Sequence, residues 1–230
     1  MSGLRVLSAG AVKRGVAQIT AAFSAEHGIQ VAVEFATAPQ LRKRMAAGEA
    51  VDVLVAPPSV MDELEKSGRV VQDSRRFIGR SRMGVVVHEQ SAISEVADVE
   101  SFVQMLSSAS AVVRNNASSG IYAAKLLDDL GLSATLGSRI VVVNSGAAVM
   151  EHVAVNPPAA IGLAQISEIR ILIEKGLPIR LAGLLPDAVQ NVTRYEAAAV
   201  VGGEAEPAAA LAAFMVTPEA KRIFAASGID

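Results

Sequence analysis

Short apolar segments alternate with helical segments along most of this chain, and this alternation constrains its fold more than any other feature. From Leu4 to Lys66 the order is strand, helix, strand, helix, strand, helix. The same pattern restarts at Met83 and continues to Ala164. Strands that are joined through helices pair in parallel, with right-handed crossovers and helices packed on the sheet. The sequence therefore predicts an α/β fold.

Apolar periodicity and the positions of glycine and proline predict the individual elements. Gly28 is expected to end the first helix, and Thr217 with Pro218 to begin the last helix, which stops at Gly228. Strands are predicted at residues 4–8, 31–35, 51–56, 83–88, 109–113, 139–143, 159–164, 179–182 and 195–201. The other helices are predicted at residues 12–27, 39–45, 59–66, 99–107, 121–130, 147–156 and 207–215.

Two successive α/β units followed by a return segment predict two lobes with a ligand cleft between them. The chain has 230 residues, which is enough for two lobes of about 110 residues each. One lobe is predicted to contain residues 1–80 and 195–230, and the other residues 81–194. Because ligands of such sheets bind at the carboxyl ends of the strands, we expect the functional residues at the strand-to-helix junctions.

Composition excludes several classes of function. The formal net charge is -2 and no long basic run is present, so a nucleic-acid partner is not expected. The chain has no cysteine, which excludes disulfides and thiolate metal sites. Its histidines, His27, His88 and His152, lack ligand-type spacing, so neither a metal nor another cofactor is predicted.

The apolar segments are all too short for a membrane span, which needs about 20 residues, so membrane insertion is not expected. The start of the sequence is too short and too broken for the apolar core of a signal peptide. As written, the sequence predicts a cytoplasmic protein, and a periplasmic one if it is a trimmed mature form.

Four strand-to-helix junctions carry small, hydroxyl or amide residues and no acids. A helix start presents unpaired backbone N–H groups and the positive end of the helix dipole, and both favour an anion. The same residue types are ordinary helix caps, so plain capping is the alternative. Caps favour Asp equally and none of the four uses it, which favours a convergent anion site. The candidate ligand-binding residues are Gly10, Ala11 and Lys13 at the first junction, Thr37, Ala38 and Gln40 at the second, Arg114, Asn115, Ser118 and Ser119 at the third, and Asn144 and Ser145 at the fourth.

Residues 6–11 (VLSAGA) and 35–41 (FATAPQL) cover the first two junctions, and 48–55 (GEAVDVLV), 120–123 (GIYA) and 160–163 (AIGL) are further distinctive stretches. Together they resemble the molybdate-binding substrate-binding proteins of ABC importers, which belong to the two-lobed periplasmic binding superfamily. The resemblance covers essentially the whole chain. It implies a type 2 periplasmic binding fold, a small anionic ligand in the inter-lobe cleft and an ABC permease as a partner.

Departures from the family pattern bear on the identity of the ligand. The family serines that hold a tetrahedral oxyanion at the first two junctions correspond to Ala11 and Ala38 here. A late family tyrosine corresponds to Gln165, which joins the candidate ligand-binding residues. Arg114 and Asn115 offer a guanidinium and an amide instead, and these groups suit a carboxylate better than a tetrahedral oxyanion. We therefore expect a carboxylate or a related oxyanion rather than molybdate.

An enzyme on the same scaffold is the alternative, because aconitate isomerase belongs to this superfamily. Shifting a double bond in a tricarboxylate is an allylic proton transfer, which needs a positioned base. The sequence offers Lys13, Tyr122, Glu151 and His152 as bases and singles out none of them, so the catalytic residue is unknown. Binding without chemistry is the preferred interpretation.

Overall fold

The computed structural model describes residues 3–156 and 159–230. Backbone contacts divide the chain into two compact units. Unit 1 comprises the described residues up to Arg80 together with Thr193–Asp230. Unit 2 comprises the described residues from Ser81 to Val192.

Unit 1 is built around three parallel strands. Its sheet has the order β2-β1-β3-β9, in which β1 pairs in parallel with both β2 and β3, and β9 is antiparallel to β3. The strands are β1 (Leu4–Ala9), β2 (Val31–Ala36), β3 (Val53–Ala56), the beginning of β4 (Arg76–His88) and most of β9 (Val192–Ala199). The helices are α1 (Lys13–His27), α2 (Ala38–Ala46), α3 (Pro58–Lys66), α9 (Ala205–Phe214) and α10 (Pro218–Ala226), with a 3-10 helix at Gly10–Val12.

Unit 2 repeats this arrangement of parallel strands. Its sheet has the order β8-β4-β7-β5-β6, with β5 parallel to β6 and β7, and β4 antiparallel to β7 and β8. Besides the rest of β4, the strands are β5 (Ala111–Asn115), β6 (Ile140–Val143), β7 (Ala160–Gln165) and β8 (Ile179–Leu184). The helices are α4 (Val99–Ser108), α5 (Ser118–Asp129), α6 (Leu132–Leu136), α7 (Gly146–Val155) and α8 (Ile166–Glu174), with 3-10 helices at Gly137–Arg139 and Asp187–Val189.

The α/β class and the parallel strands predicted from the sequence are confirmed. In each unit the first parallel strand lies between the second and the third, so the order is β2-β1-β3 in unit 1 and β6-β5-β7 in unit 2. Each of these strands leads through its carboxyl end into a helix. As a result, three helix starts follow one edge of the sheet within each unit.

Two helices and part of one strand were missing from the sequence prediction. Helix α8 follows β7 with no intervening loop residue, so neither glycine nor proline marks its beginning. Helix α6 has only five residues, which is too short for a helical apolar period to emerge. Strand β4 begins at Arg76 rather than Met83, because its first residues are mostly polar.

The cores are aliphatic and pack against the sheets. Ile19 and Phe23 of α1 are fully buried in unit 1, as predicted, whereas Ala22 is only partly buried. In unit 2, Val85 and Val87 of β4 contribute to one apolar cluster and Val86 to another. Successive strand side chains point to opposite faces, so both faces of the unit 2 sheet are covered.

Asp52 connects three segments of unit 1. Its carboxylate is buried and accepts a hydrogen bond from the backbone N–H of Arg5 (2.7 Å) and another from that of Glu204 (2.9 Å). Its backbone carbonyl accepts from the N–H of Val200 (2.8 Å). The side chain therefore holds β1 and the residue before α9 against the start of β3.

Replacing Asp52 by Ala should lower the free energy of unfolding by about 2–4 kcal/mol, because two buried N–H groups lose a charged acceptor. Asp52→Asn should cost less, since the amide oxygen still accepts one of the two bonds. Urea unfolding followed by circular dichroism measures both changes. Glu26→Ala, at an exposed position of α1, is the matched control. Equal stability of Asp52→Ala and the control would contradict this role.

Candidate functional site

The first two junctions lie side by side in unit 1. Ala9 of β1 is in register with Ala36 of β2, so both strands end at the same level of the sheet. The first junction opens with the 3-10 helix before α1, and no side chain caps it. Lys13 is exposed, and its Nζ lies 5.3 Å from the ring centroid of Phe35. Backbone N–H groups and a lysine are therefore the donors that this junction offers.

The second junction uses its polar side chains for its own helix start. Oε1 of Gln40 accepts hydrogen bonds from the backbone N–H of Thr37 (2.8 Å) and from the Thr37 hydroxyl (3.0 Å). Ala38, the first residue of α2, is buried. Plain capping thus accounts for the pairing of Thr37 with Gln40.

The third and fourth junctions, together with the end of β7, lie along one edge of the unit 2 sheet. Asn115 of β5 is in register with Val143 of β6, and Val113 of β5 with Gly162 of β7. The backbone N–H of Asn116 donates to the carbonyl of Val143 (3.0 Å). Helices α5, α7 and α8 begin along this edge, so their positive dipole ends reinforce one another.

Asn115 organises the third junction. Its Oδ1 accepts from the backbone N–H groups of Ala117 (2.9 Å) and Gly120 (3.1 Å), and its Nδ2 donates to Oγ of Ser119 (3.2 Å). A Cβ on Gly120 would lie 1.7 Å from the Asn115 carbonyl oxygen, so the close turn requires glycine there. The side chains of Asn115 and Ser119, both buried, support the loop itself.

The remaining polar side chains of this edge differ in their surroundings. Ser118 begins α5 three residues earlier than the predicted helix start, and it is exposed. Oγ of Ser145 caps α7 by accepting from the N–H of Ala148 (3.1 Å). Asn144 is exposed at the edge, whereas Gln165 is buried at the end of β7. Of the residues predicted at this edge, Ser118 and Asn144 are thus the most exposed, and Nδ2 of the exposed Asn116 lies 3.5 Å from Oδ1 of Asn144.

Arg114 is the cation of this edge. It is partly buried, and its Nη1 lies 3.4 Å from the carbonyl oxygens of Asn115 and Gly120. Its Nε is buried without a hydrogen-bond partner among the residues that the structure describes. No carboxylate within those ranges forms an ion pair with it. A partly buried guanidinium without an acidic partner is chemically suited to an external anion.

Three arginines of unit 1 differ from Arg114, because acidic side chains neutralise them. Arg42 pairs with Glu63 at 2.8 Å, and Arg44 is bound by two glutamates. Arg75 has three acidic partners, and they raise its pKa further above the usual range. The partners of Arg44 and Arg75 are Glu34, Glu49, Asp62, Glu65 and Glu196.

Glu168 is a functional candidate that the sequence analysis missed. It lies in the first turn of α8 and is partly buried. A Cβ placed on Gly146, the first residue of α7, would lie 2.2 Å from its Oε2, so the carboxyl group packs against the start of α7. Burial raises the pKa of Glu168 to about 7. An acid three residues into a helix is a recognisable signal, but only after α8 itself has been recognised.

The bases proposed from the sequence have surroundings different from those of Glu168. The Tyr122 hydroxyl donates to the carbonyl of Val189 (3.0 Å), and desolvation raises the pKa of this phenol. Glu151 and His152 lie beyond the first turn of α7, and Glu151 is exposed. Lys13 belongs to unit 1.

Residues 3–156 and 159–230 contain no helix that is long and apolar enough to cross a membrane. Within these same ranges, His, Asp and Glu form no group of three or more that could hold a metal ion.

The raised pKa of Glu168 predicts a pH-dependent stability. In the unfolded chain this carboxyl ionises near 4.5, whereas in the folded protein it ionises near 7. The folded state therefore binds the proton more tightly, and the free energy of unfolding falls as pH rises from about 4.5 to 7. Compared with Glu168→Gln, the wild type should lose up to about 3 kcal/mol over this interval. Urea titrations at pH 5 and pH 8 measure the difference, and parallel curves for the two proteins would contradict it.

Solved structures with the same fold include binders of oxyanions. The periplasmic molybdate-binding protein of Azotobacter vinelandii superposes with a TM-score of 0.81 at 18% identity, over 99% of this chain and 98% of that one. The sulfate-binding protein SubI of Mycobacterium tuberculosis gives a TM-score of 0.78 at 16% identity, over 100% of this chain and 86% of that one. At these identities the likeness shows the fold, which is that of the two-lobed periplasmic binding proteins.

Sequence comparison also finds an enzyme. An aconitate isomerase from a Pseudomonas species is 27% identical over 236 aligned residues, which cover 98% of this chain and 87% of the isomerase. Residues 4–230 match the sequence profile described as bacterial extracellular solute-binding protein. The predicted resemblance to molybdate-binding-type proteins is thereby confirmed, and the chain belongs to the bacterial extracellular solute-binding protein family.

Proposed function

We propose that this protein binds a small anionic solute, a carboxylate or a related oxyanion, at the edge of unit 2 where α5, α7 and α8 begin. The observation that carries the proposal is Arg114, a partly buried cation that has no acidic partner among the described residues. Three helix starts at the same edge add backbone N–H donors and positive dipole ends. An anion would supply the charge that this edge lacks.

Membership of a solute-binding family supports binding as the general activity. Solved structures with the same fold are named for molybdate and sulfate, both of which are anions. As an importer component, the protein would deliver its ligand to an ABC permease outside the cytoplasm. This partner and this compartment are part of the proposal.

A carboxylate fits the available donors better than a tetrahedral oxyanion. The planar guanidinium of Arg114 matches the two oxygens of a carboxylate. Ala11 and Ala38 supply no hydroxyl where the family's molybdate binders have serines. Of the third-junction amides and hydroxyls, Asn115 and Ser119 serve the loop. Backbone N–H groups and the exposed side chains of Asn116 and Ser118 remain as donors.

A second candidate function is the isomerisation of a small tricarboxylate. The sequence similarity to an aconitate isomerase supports it. The specific observation in its favour is Glu168, a carboxyl group with a pKa raised to about 7 at the edge where the anion is proposed to bind. Proton transfer at neutral pH is most effective when the pKa of the base lies near the working pH.

Arg114→Ala should weaken binding of citrate or trans-aconitate by about 2–5 kcal/mol, because the ligand charge loses its buried partner. Arg114→Lys should recover part of the loss, since the charge returns without the planar pair of donors. Isothermal titration calorimetry measures the affinities. Arg170→Ala, at an exposed position of α8, is the control for a lost arginine. Tight binding by Arg114→Ala would place the ligand at another site, and a wild type that binds only molybdate or tungstate would refute the carboxylate preference.

A further inference from the structure

Resting on the second candidate function, we propose that Glu168 is the proton-transfer residue for an allylic tricarboxylate bound at the unit 2 edge. Its carboxylate would remove a proton from the CH2 group next to the carbon–carbon double bond. It would then return that proton to the far carbon of the former double bond.

The position of Glu168 supports this role. Its carboxyl group lies against Gly146, so close that a Cβ at that position would force the carboxyl group to move. Gly146 is the first residue of α7, and Glu168 itself lies in the first turn of α8. The acid thus lies at the edge where two of the three helix starts are proposed to hold the anion. Glycine at position 146 is what leaves room for the carboxyl group.

The protein does not engage the Glu168 carboxyl elsewhere. Among the described residues it has neither a hydrogen-bond partner nor an ion-pair partner. Structural acids in this chain look different, because Asp52 accepts two backbone N–H groups and Glu196 pairs with Arg75. A carboxyl group without hydrogen-bond or ion-pair partners among the described residues is available to exchange a proton with a bound ligand.

Burial is the cause of the raised pKa of Glu168, although the elements packed against α8 carry charged groups. Strand β4, whose Ser81 Oγ lies 3.3 Å from Oγ of Ser167, carries Arg82. Helix α7 carries Glu151 and His152, and β7 carries no charged residue. Strand β8 carries Arg180, whose guanidinium donates to the carbonyls of Ser91 (3.0 Å) and Ile93 (2.6 Å). Desolvation raises the pKa of Glu168 to about 7, so the acid and its conjugate base are both populated at neutral pH.

The proposed step is balanced in atoms and electrons. The C–H bond breaks, its proton moves to an oxygen of Glu168, and its electron pair becomes delocalised over the allylic carbons and the adjoining carboxylate. Arg114 and the N–H groups of the helix starts stabilise the negative charge that develops on the carboxylate oxygens. The proton then forms a bond to the other allylic carbon, and the double bond takes its new position. No oxidant, reductant or second substrate is required.

The test is proton NMR of cis- and trans-aconitate in D2O with the full-length protein, combined with calorimetric binding of the same compounds. The wild type should interconvert the isomers and exchange their CH2 protons with solvent. Glu168→Gln should slow both processes by a factor of about 10²–10⁴, the usual contribution of a positioned base, while binding changes little. Glu168→Asp should retain intermediate activity, because it keeps a carboxyl group on a shorter side chain. Glu174→Gln, which changes an exposed carboxyl near the end of α8, should behave like the wild type.

Each contrary result has a separate meaning. Wild-type protein that binds aconitate without exchange or isomerisation would overturn both this inference and the isomerase function, while anion binding would stand. Unchanged turnover by Glu168→Gln would overturn the inference and leave the isomerase function with a different base. Loss of binding by Glu168→Gln with unchanged turnover at saturation would make Glu168 a binding group and overturn the inference as well.

Discussion

Parallel pairing of one strand with two neighbours is the constraint on which the rest of each unit depends. In unit 2, β5 pairs with β6 on one side and with β7 on the other. Parallel strands end at the same edge, so the helices that follow must all begin there. Strand pairing therefore brings together the positive dipole ends of α5, α7 and α8 and those N–H groups that Asn115 and Ser145 leave uncapped.

Arg114 and Glu168, two charged side chains of this edge, differ from the paired arginines of unit 1. In unit 1, Arg42, Arg44 and Arg75 are neutralised by nearby acids. Arg114 has no acidic partner within the described residues, and Glu168 has no partner of any kind there. In the proposed function, Arg114 stabilises the bound anion and Glu168 accepts a proton from it. Both are partly withdrawn from water, where electrostatic interactions are stronger.

The same scaffold can serve binding or catalysis because both use the same donors. N–H groups at helix starts hold an anionic solute, and they also stabilise negative charge that develops during a proton transfer. A binding protein therefore needs only a base at the right position to become an isomerase. This chain is similar in fold to oxyanion-binding proteins and in sequence to an aconitate isomerase, which agrees with the close relation between anion binding and this kind of catalysis.

The sequence by itself determined the α/β class, the parallel strands and the positions of the strand-to-helix junctions that carry the candidate site. Apolar periodicity and glycine or proline stops are local signals, so they are present in the sequence without the tertiary structure. It also identified Arg114 as the charged residue of the third junction. Only the tertiary structure decided which junction side chains already form hydrogen bonds within their own junction. Asn115 accepts two backbone N–H groups of its loop, and Ser145 caps α7. It alone revealed Glu168, since α8 follows β7 without a break and the shifted pKa results from burial by residues distant in sequence. Hydrogen-bond partners and desolvation are set by packing, which no local pattern records.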